Sequence, residues 1–177
     1  MIHTVVIDNL LTPFMLEGGH VRGRVVRLGN VASTILGRYD YPEPVVRMLG
    51  ELVVIAGMLS SNLKHEGIFT IQMRGTGLIP LVVVDAVYGG AIRGCADVSP
   101  EAAETIARMD DTTPRALMGE GAYLAITFDP GADMQRYQGV VELVGDSIAE
   151  ALMHYFELSE QLDVDLRLAV TDQAPWA

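Results

Sequence analysis

Cysteine is nearly absent from this 177-residue sequence, which contains only Cys95. A single thiol forms no internal disulfide and cannot build a cysteine-rich zinc site, so neither kind of cross-link is predicted within the chain. This scarcity is typical of proteins kept in a reducing compartment. No lysine or arginine precedes Arg22, whereas a secretory signal begins with positive charge. The sequence therefore predicts a cytoplasmic protein.

Positive charge is the second scarcity. The sequence has 12 lysines and arginines against 23 aspartates and glutamates, a formal net charge of −11. Such a chain repels phosphate backbones and anionic lipid, so we expect neither a nucleic acid nor a membrane as its partner. Its one lysine does not lie in a Gly-x-x-x-x-Gly-Lys-Ser/Thr run, which excludes a phosphate-loop nucleotidase.

Long hydrophobic runs and clustered metal ligands are missing as well. The longest apolar stretches, near residues 52–59 and 78–84, fall short of the roughly 18 residues that suggest a membrane-spanning helix. The four histidines are dispersed, without the spacing of a local metal site. We therefore predict no metal in this chain.

The apolar content of the sequence is nevertheless high. Half of the residues are hydrophobic and 20% are charged, a balance that is typical of a folded chain and not of a disordered one. A chain of this length buries roughly two-thirds of its unfolded surface around one core. The sequence therefore predicts a single domain over residues 1–177.

One long helix is predicted in the first half of the chain. Asp40–Pro44 has the prolines and the acidic residue that favour a helix start, and apolar residues at three- and four-residue spacing continue to Leu59. Gly50 and Gly57 lie seven residues apart on this helix. Because glycine weakens a helix, we expect other elements to approach closely at both positions.

The spacing of apolar residues changes to two from Phe69 onward. Glycine turns at 75–77 and 89–90 then predict a three-stranded antiparallel meander that ends at Ala96. The remaining predicted helices cover Val31–Leu36, Pro100–Arg108, Thr113–Met118 and Ser147–Glu160, and the remaining predicted strands cover His20–Leu28, Tyr123–Asp129 and Arg136–Leu143. The sequence thus predicts an α+β fold, mainly an antiparallel sheet with helices packed on it.

The two terminal segments are harder to assign. Residues 10–16 are apolar but contain Pro13, which predicts at most a short helical turn that docks on the body. Leu162–Val170 alternate between apolar and polar residues, which predicts a half-solvated strand. A regular edge strand usually has a neighbour or a blunting device, so we expect this chain to be a fragment of a longer protein.

Three side chains could serve an enzyme or a small-ligand site. Asp85 and Asp97 lie on either side of a glycine turn and could face one cleft. Cys95 follows Arg93, whose charge could favour a reactive thiolate, although a strand position favours a small buried residue. A cleft that uses Asp85, Asp97 or Cys95 is therefore an alternative function.

Several short motifs together resemble the heat-shock protein 33 family, also called the 33 kDa chaperonin family. The most specific are the tyrosine-glutamine-glycine run in a strand and the serine-glutamate-glutamine run at a helix end. The motifs occur in the family's order along nearly the whole chain: Val21–Arg24, Asp40–Val45, Arg93–Gly94, Arg136–Val141, Tyr155–Phe156 and Ser159–Gln161.

The resemblance implies a redox-regulated, ATP-independent holdase that binds unfolding client proteins during heat and oxidative stress, acts as a homodimer and is not an enzyme. In that family a C-terminal module of four cysteines holds zinc when reduced and forms disulfides when oxidised. This sequence lacks those cysteines. We therefore expect no cofactor in this chain, and zinc only in the C-terminal segment of full-length family members.

A holdase needs apolar surface that unfolded chains can reach. The candidate client-binding residues are Leu10, Leu11, Phe14 and Met15, which form an apolar segment near the N-terminus. A third possibility is a purely structural domain that binds only a second copy of itself.

Overall fold

A computed structural model describes residues 8–61, 63, 66–131 and 135–171 of the chain. Its strands are β1 (Leu10–Met15), β2 (Arg22–Arg27), β3 (Ile68–Arg74), β4 (Leu81–Val87), β5 (Ile92–Asp97), β6 (Tyr123–Asp129) and β7 (Tyr137–Glu142). Its helices are α1 (Asn30–Leu36), α2 (Glu43–Ser60), α3 (Pro100–Ile106), α4 (Pro114–Met118) and α5 (Ile148–Tyr155). A π-helical turn, Phe156–Glu160, continues α5.

Five of the strands form one antiparallel sheet in the order β5-β4-β3-β6-β7. The predicted meander of β3, β4 and β5 is confirmed, and β3 lies at the centre of the sheet. On the inner face, Ile71 of β3 is fully buried and lies between Val84 and Ile126 of its two neighbours. The α+β architecture predicted from the sequence is therefore confirmed.

The helix α2 packs on the inner face of β3, β4 and β5. It begins within the predicted start, with Pro44 in its first turn, and nine of its residues are buried. A Cβ atom on Gly50 would lie 3.0 Å from Val170 Cγ1, and one on Gly57 would lie 3.2 Å from Leu28 Cδ1. The close approach expected at both glycines is confirmed, and it offsets their cost of about 1 kcal/mol each in helix propensity.

Glu51 lies half-buried on this helix, and burial raises the pKa of its carboxyl, an effect that the positive charge of Arg47 partly reverses. A raised pKa means that the folded protein holds the proton more tightly than the unfolded chain. Stability from this group is therefore present below its ordinary pKa of 4.5 and is lost as the pH rises through the folded-state pKa.

Replacing Glu51 by glutamine removes this loss, because glutamine stays neutral at every pH. We expect Glu51→Gln to unfold at a higher temperature than the wild type at pH 7, and the difference to shrink towards pH 4. Thermal unfolding followed by circular dichroism at the two pH values measures it. If the difference in unfolding temperature between Glu51→Gln and the wild type grew towards pH 4, the raised pKa of Glu51 would be contradicted.

The first terminal segment differs from its prediction. Residues 10–15 form a strand, β1, that pairs with β2 in a separate two-stranded sheet, where a short helical turn was predicted. Pro13 is tolerated there because β1 has a single neighbour, and an edge strand can lack one backbone N–H. The segment is therefore one arm of a β-hairpin.

The second terminal segment keeps the predicted alternation but not the predicted pairing. Val164, Leu166, Leu168 and Val170 are half-buried, while the residues between them are exposed. Leu166 and Leu168 pack against the main core. Residues 161–171 nevertheless form no strand ladder, so the predicted strand pairing was wrong. The predicted separation of apolar and polar side chains onto opposite faces is confirmed for residues 164–170.

Candidate functional site

The β1–β2 hairpin presents a row of exposed apolar side chains. Opposite residues in an antiparallel pair point to the same face, and the register pairs Thr12 with Val25 and Phe14 with Gly23. Beyond the ladder, the Leu16 N–H donates to the Val21 carbonyl at 3.0 Å. One face therefore carries Leu10, Phe14, Leu16, Val21 and Val25, each between 42% and 60% exposed. We call this set the apolar hairpin face.

The opposite face of the hairpin points towards the body of the protein. It carries Leu11 and Val26, which are half-buried and directly paired. Val26 lies 4.0 Å from the position of a Cβ atom on Gly57 of α2. Of the four residues predicted to contact clients, Leu10 and Phe14 thus lie on the apolar hairpin face, whereas Leu11 lies on the inner one. Met15 lies on the inner side of the ladder but near the hairpin tip, where it is 64% exposed.

Two polar side chains hold the base of the hairpin on α1. The Asn30 N–H donates to Asp8 Oδ2 at 2.8 Å, and the Val31 N–H donates to Asn9 Oδ1 at 3.2 Å. The first backbone N–H groups of a helix have no partner within the helix, so Asp8 and Asn9 cap α1 from a distant part of the chain. This capping fixes where the hairpin leaves the body.

Phe14 needs a glycine on the neighbouring strand. A Cβ atom on Gly23 would lie 2.2 Å from Phe14 Cζ, so the ring occupies the space that a side chain would fill. The turn that joins the two strands contains Gly18 and Gly19, both at positive φ, which suits a tight hairpin connection. The hairpin is therefore shaped to keep the aromatic ring on its outer face.

The hairpin also carries positive charge in an acidic protein. Arg22, Arg24 and Arg27 of β2 are all exposed. They alternate with the apolar side chains along the strand, because Arg22 and Arg24 point to the face opposite Val25. Of the three, Arg27 lies on the apolar hairpin face, directly opposite Leu10, in a chain whose net charge is −11.

The alternative site residues do not come together in a cleft. Asp85, Cys95 and Asp97 point from β4 and β5 to the outer face of the large sheet. Asp85 is held in a local network, because Thr70 Oγ1 donates to Asp85 Oδ1 at 2.6 Å and Arg93 Nε donates to Oδ2 at 2.9 Å. Cys95 is exposed, so the expectation of a small buried residue was wrong. Arg93 and Asp97, which lie two residues before and two residues after Cys95 in β5, point to the same exposed face.

A cleft of about 560 Å³ lies elsewhere, beside α5. It is lined by the polar side of α5 and the π-helical turn, including His154 and Glu157, and by residues 161–164.

In the parts of the chain that the structure describes, no group of three or more histidine, cysteine, aspartate or glutamate side chains could hold a metal ion. Within the same residues, no helix has the length and hydrophobicity to cross a membrane.

Comparisons with known proteins bear on this arrangement. A family model described as "Hsp33 protein" matches residues 9–175. The chain belongs to the Hsp33 family. It is 40% identical over 168 residues to a 33 kDa chaperonin of Caulobacter vibrioides and 42% identical over 161 residues to one of Aliivibrio salmonicida. These alignments cover 94% and 91% of this chain, but 55% and 53% of the relatives, so the chain spans about half their length.

A solved structure shows the same fold. The crystal structure of a 33 kDa chaperonin from Thermotoga maritima, described as a heat shock protein 33 homolog, superimposes with a TM-score of 0.76 at 21% identity. The match covers 95% of this chain and 57% of that one. The fold of this Hsp33-family chain is therefore shared with that structure.

The two most specific Hsp33 motifs meet in one hydrogen-bonded cluster. The Tyr155 ring lies over Gly139, whose Cβ position is 2.4 Å from Tyr155 Cε2. The Tyr137 and Tyr155 hydroxyls are 3.1 Å apart, and both donate to Glu160 Oε1, at 2.8 Å and 3.1 Å. Burial raises the pKa of Tyr155, which keeps its hydroxyl a donor. The motifs thus fix the end of α5 on β7.

The second strand of the hairpin was missed as part of the site. Val21 and Val25 complete the apolar hairpin face, and nothing near the N-terminal segment in sequence points to them. The signal that could have found them lies in the second strand, where Val21, Gly23 and Val25 alternate with Arg22 and Arg24; the first strand is apolar on both faces.

Proposed function

We propose that this chain is an ATP-independent holdase domain that binds unfolding proteins through the apolar hairpin face. The observation that carries the proposal is the set of five apolar side chains, each two-fifths or more exposed, on one face of a hairpin that forms its own two-stranded sheet. Contiguous exposed apolar surface is typical of a site that binds other proteins. Membership of a family whose relatives are named chaperonins supports it.

The geometry of the hairpin supports different roles for the four proposed client-binding residues. Leu10 and Phe14 make the central contacts, and Met15 extends them at the tip. Leu11, which is half-buried, contributes less because part of its surface already contacts the body. Backbone flexibility of an unfolded client allows its apolar side chains to fit this stripe without a fixed sequence, as a general holdase requires.

The charge of the chain supports the same function. A holdase complex remains in solution only if the rest of its surface repels further association, and a net charge of −11 supplies that repulsion. Arg27, which lies on the apolar hairpin face, adds attraction for acidic side chains of a client. Apolar contact thus gives the affinity, and the acidic body keeps the complex soluble.

We also propose a homodimer in the cytoplasm, and no redox response from these residues alone. The lone Cys95 is exposed on β5, and a single thiol with no clustered ligands does not fit a zinc site. Any zinc site and any redox switch of the whole protein would therefore lie outside residues 1–177. Heat and oxidative stress would act on the whole protein, while the hairpin supplies the binding surface.

Light scattering of a heat-denatured client tests the proposal. We expect the chain to suppress aggregation at near-stoichiometric ratio without ATP, and to do so equally in reductant and in peroxide. Cys95→Ser should suppress aggregation to the same extent as the wild type. A folded sample that leaves the client unprotected would overturn the holdase proposal, and suppression that appears only in peroxide would overturn redox insensitivity.

A further inference from the structure

The register of the hairpin divides the apolar hairpin face into four rows. From the tip to the base, the rows are Leu16 with Val21, Phe14 with Gly23, Thr12 with Val25 and Leu10 with Arg27. Neighbouring rows are two residues apart, which is about 6.8 Å along a strand. The face therefore repeats with the period of an extended chain, and not with the 5.4 Å pitch of an α-helix.

The two ends of the face differ in charge. The three rows nearest the tip carry no charged side chain, whereas the base row ends in the exposed guanidinium of Arg27. Among the residues that the structure describes, no carboxylate forms an ion pair with Arg27. Asp8, at the base of the hairpin, instead accepts a hydrogen bond from the Asn30 N–H. An available positive charge thus stands at one end of an apolar surface.

An extended client segment matches the spacing of these rows. When β-strands pack face to face, about 10 Å apart, every second side chain of one layer points at the other. Three apolar side chains at alternate positions of the client then meet the three rows nearest the tip. The next side chain on the same face of the client lies over the row of Leu10 and Arg27. A carboxylate at that position is attracted by the guanidinium, whereas an ammonium group is repelled.

Salt makes this local charge more important than the charge of the whole chain. The net charge of −11 repels an acidic client at long range. At an ionic strength of 0.15 M, however, charges are screened beyond about 8 Å. Direct contact with Arg27 is screened much less than the distant carboxylates of the body. The sign of the preference at this salt concentration is therefore set at the hairpin.

We propose that the apolar hairpin face selects extended client segments with apolar residues at three alternate positions and an acidic residue at the next alternate position, where it pairs with Arg27. The inference rests on the proposed holdase function and names the class of client segment. It describes a preference for a pattern and a charge, and not for a fixed sequence. The apolar rows supply the affinity, and Arg27 determines the specificity.

Fluorescence anisotropy with three labelled peptides in 0.15 M salt tests this preference. The first peptide has three leucines at alternate positions followed by an aspartate at the next one, in a serine and glycine background. The second has lysine in place of the aspartate, and the third has the composition of the first with its leucines at three- and four-residue spacing. We expect the first to bind about threefold more tightly than the second, as for an exposed ion pair, and also more tightly than the third.

Charge reversal at the hairpin isolates the contribution of Arg27. Arg27→Glu should reverse the preference, so that the lysine peptide binds about threefold more tightly than the aspartate peptide. Arg74→Glu is the matched control, because it makes the same charge change at an exposed position in the large sheet. It should keep the wild-type preference. A preference that is the same in Arg27→Glu and in the wild type overturns the inference, as does equally tight binding of the third peptide.

The variant Leu10→Ser/Phe14→Ser separates this inference from the holdase proposal. It should weaken the binding of the first two peptides alike, because it removes apolar contacts and keeps Arg27. Peptides that depend on Leu10 and Phe14 but show no charge preference overturn only the inference. Peptides that bind this variant as tightly as the wild type, or that bind neither protein, overturn the hairpin as the client site as well.

Discussion

Replacing both Leu10 and Phe14 by serine abolishes most of the protection of aggregating clients while the protein stays folded. Both side chains lie on the apolar hairpin face, and about half of each is already exposed, so little of the core is lost with them. Removing them takes away one of the two leucines and the only aromatic side chain of the apolar hairpin face. The loss therefore falls on binding and not on folding.

The expected size of the effect follows from the apolar area removed. Burying a leucine or phenylalanine side chain fully is worth about 1.5–3 kcal/mol, and partial contact with a client is worth less. The double variant should weaken client binding by about tenfold or more, which corresponds to about 1.4 kcal/mol. Titration of the variant against a heat-denatured client by light scattering measures the shift in the ratio needed for half protection.

A variant pair elsewhere on the surface is the control. Val140→Ser/Leu158→Ser removes two apolar side chains that are 55% and 62% exposed and lie outside the hairpin. Circular dichroism checks that both double variants are folded. If the control pair loses protection as completely as the hairpin pair, protection depends on general surface hydrophobicity and the hairpin assignment is wrong.

The largest effect on stability is expected at Tyr155. Its side chain is 2% exposed, its ring lies over Gly139, and its hydroxyl donates to Glu160. Replacing a large buried aromatic residue by alanine costs about 3–5 kcal/mol. Since a domain of this kind is stable by only about 5–15 kcal/mol, Tyr155→Ala should remove a third or more of its free energy of unfolding.

Two further variants separate the contributions of the ring and the hydroxyl. Tyr155→Phe keeps the ring and leaves Tyr137 still bonded to Glu160, so it should cost only about 1 kcal/mol. Gly139→Ala should be worse, because the new methyl group would occupy the space of the ring. Urea unfolding measures all three. Tyr155→Phe as destabilising as Tyr155→Ala would show that the hydroxyl bonds, and not the packing, hold α5 on β7.

Much of the fold could be predicted because its signals are local. The period-two pattern from Phe69 and the glycine turns indicated the β3–β4–β5 meander, and the three- and four-residue spacing indicated α2. The terminal segments could not be predicted in the same way. Pro13 suggested a break in structure, and only the pairing partner, more than ten residues away, shows that it lies in a strand with one neighbour.

The candidate site was predicted in part for the same reason. Leu10 and Phe14 are hydrophobic in sequence, but Val25 joins them only through the register of the hairpin. Cys95 was expected to be buried from the apolar character of its strand, yet it shares a face with Arg93 and Asp97, and that alternation indicates exposure. Side-chain faces follow from the sequence, whereas the partners on each face depend on contacts between distant segments.

Site-specific photo-crosslinking tests the central claim most directly. A photoreactive side chain placed at Val25, in the middle of the apolar hairpin face, should form adducts with a heat-denatured client and none with the same client in its native state. The same probe at Leu158, equally exposed but outside the hairpin, should react far less. Equal labelling from both positions, or none from Val25 while the client is protected, would contradict the account.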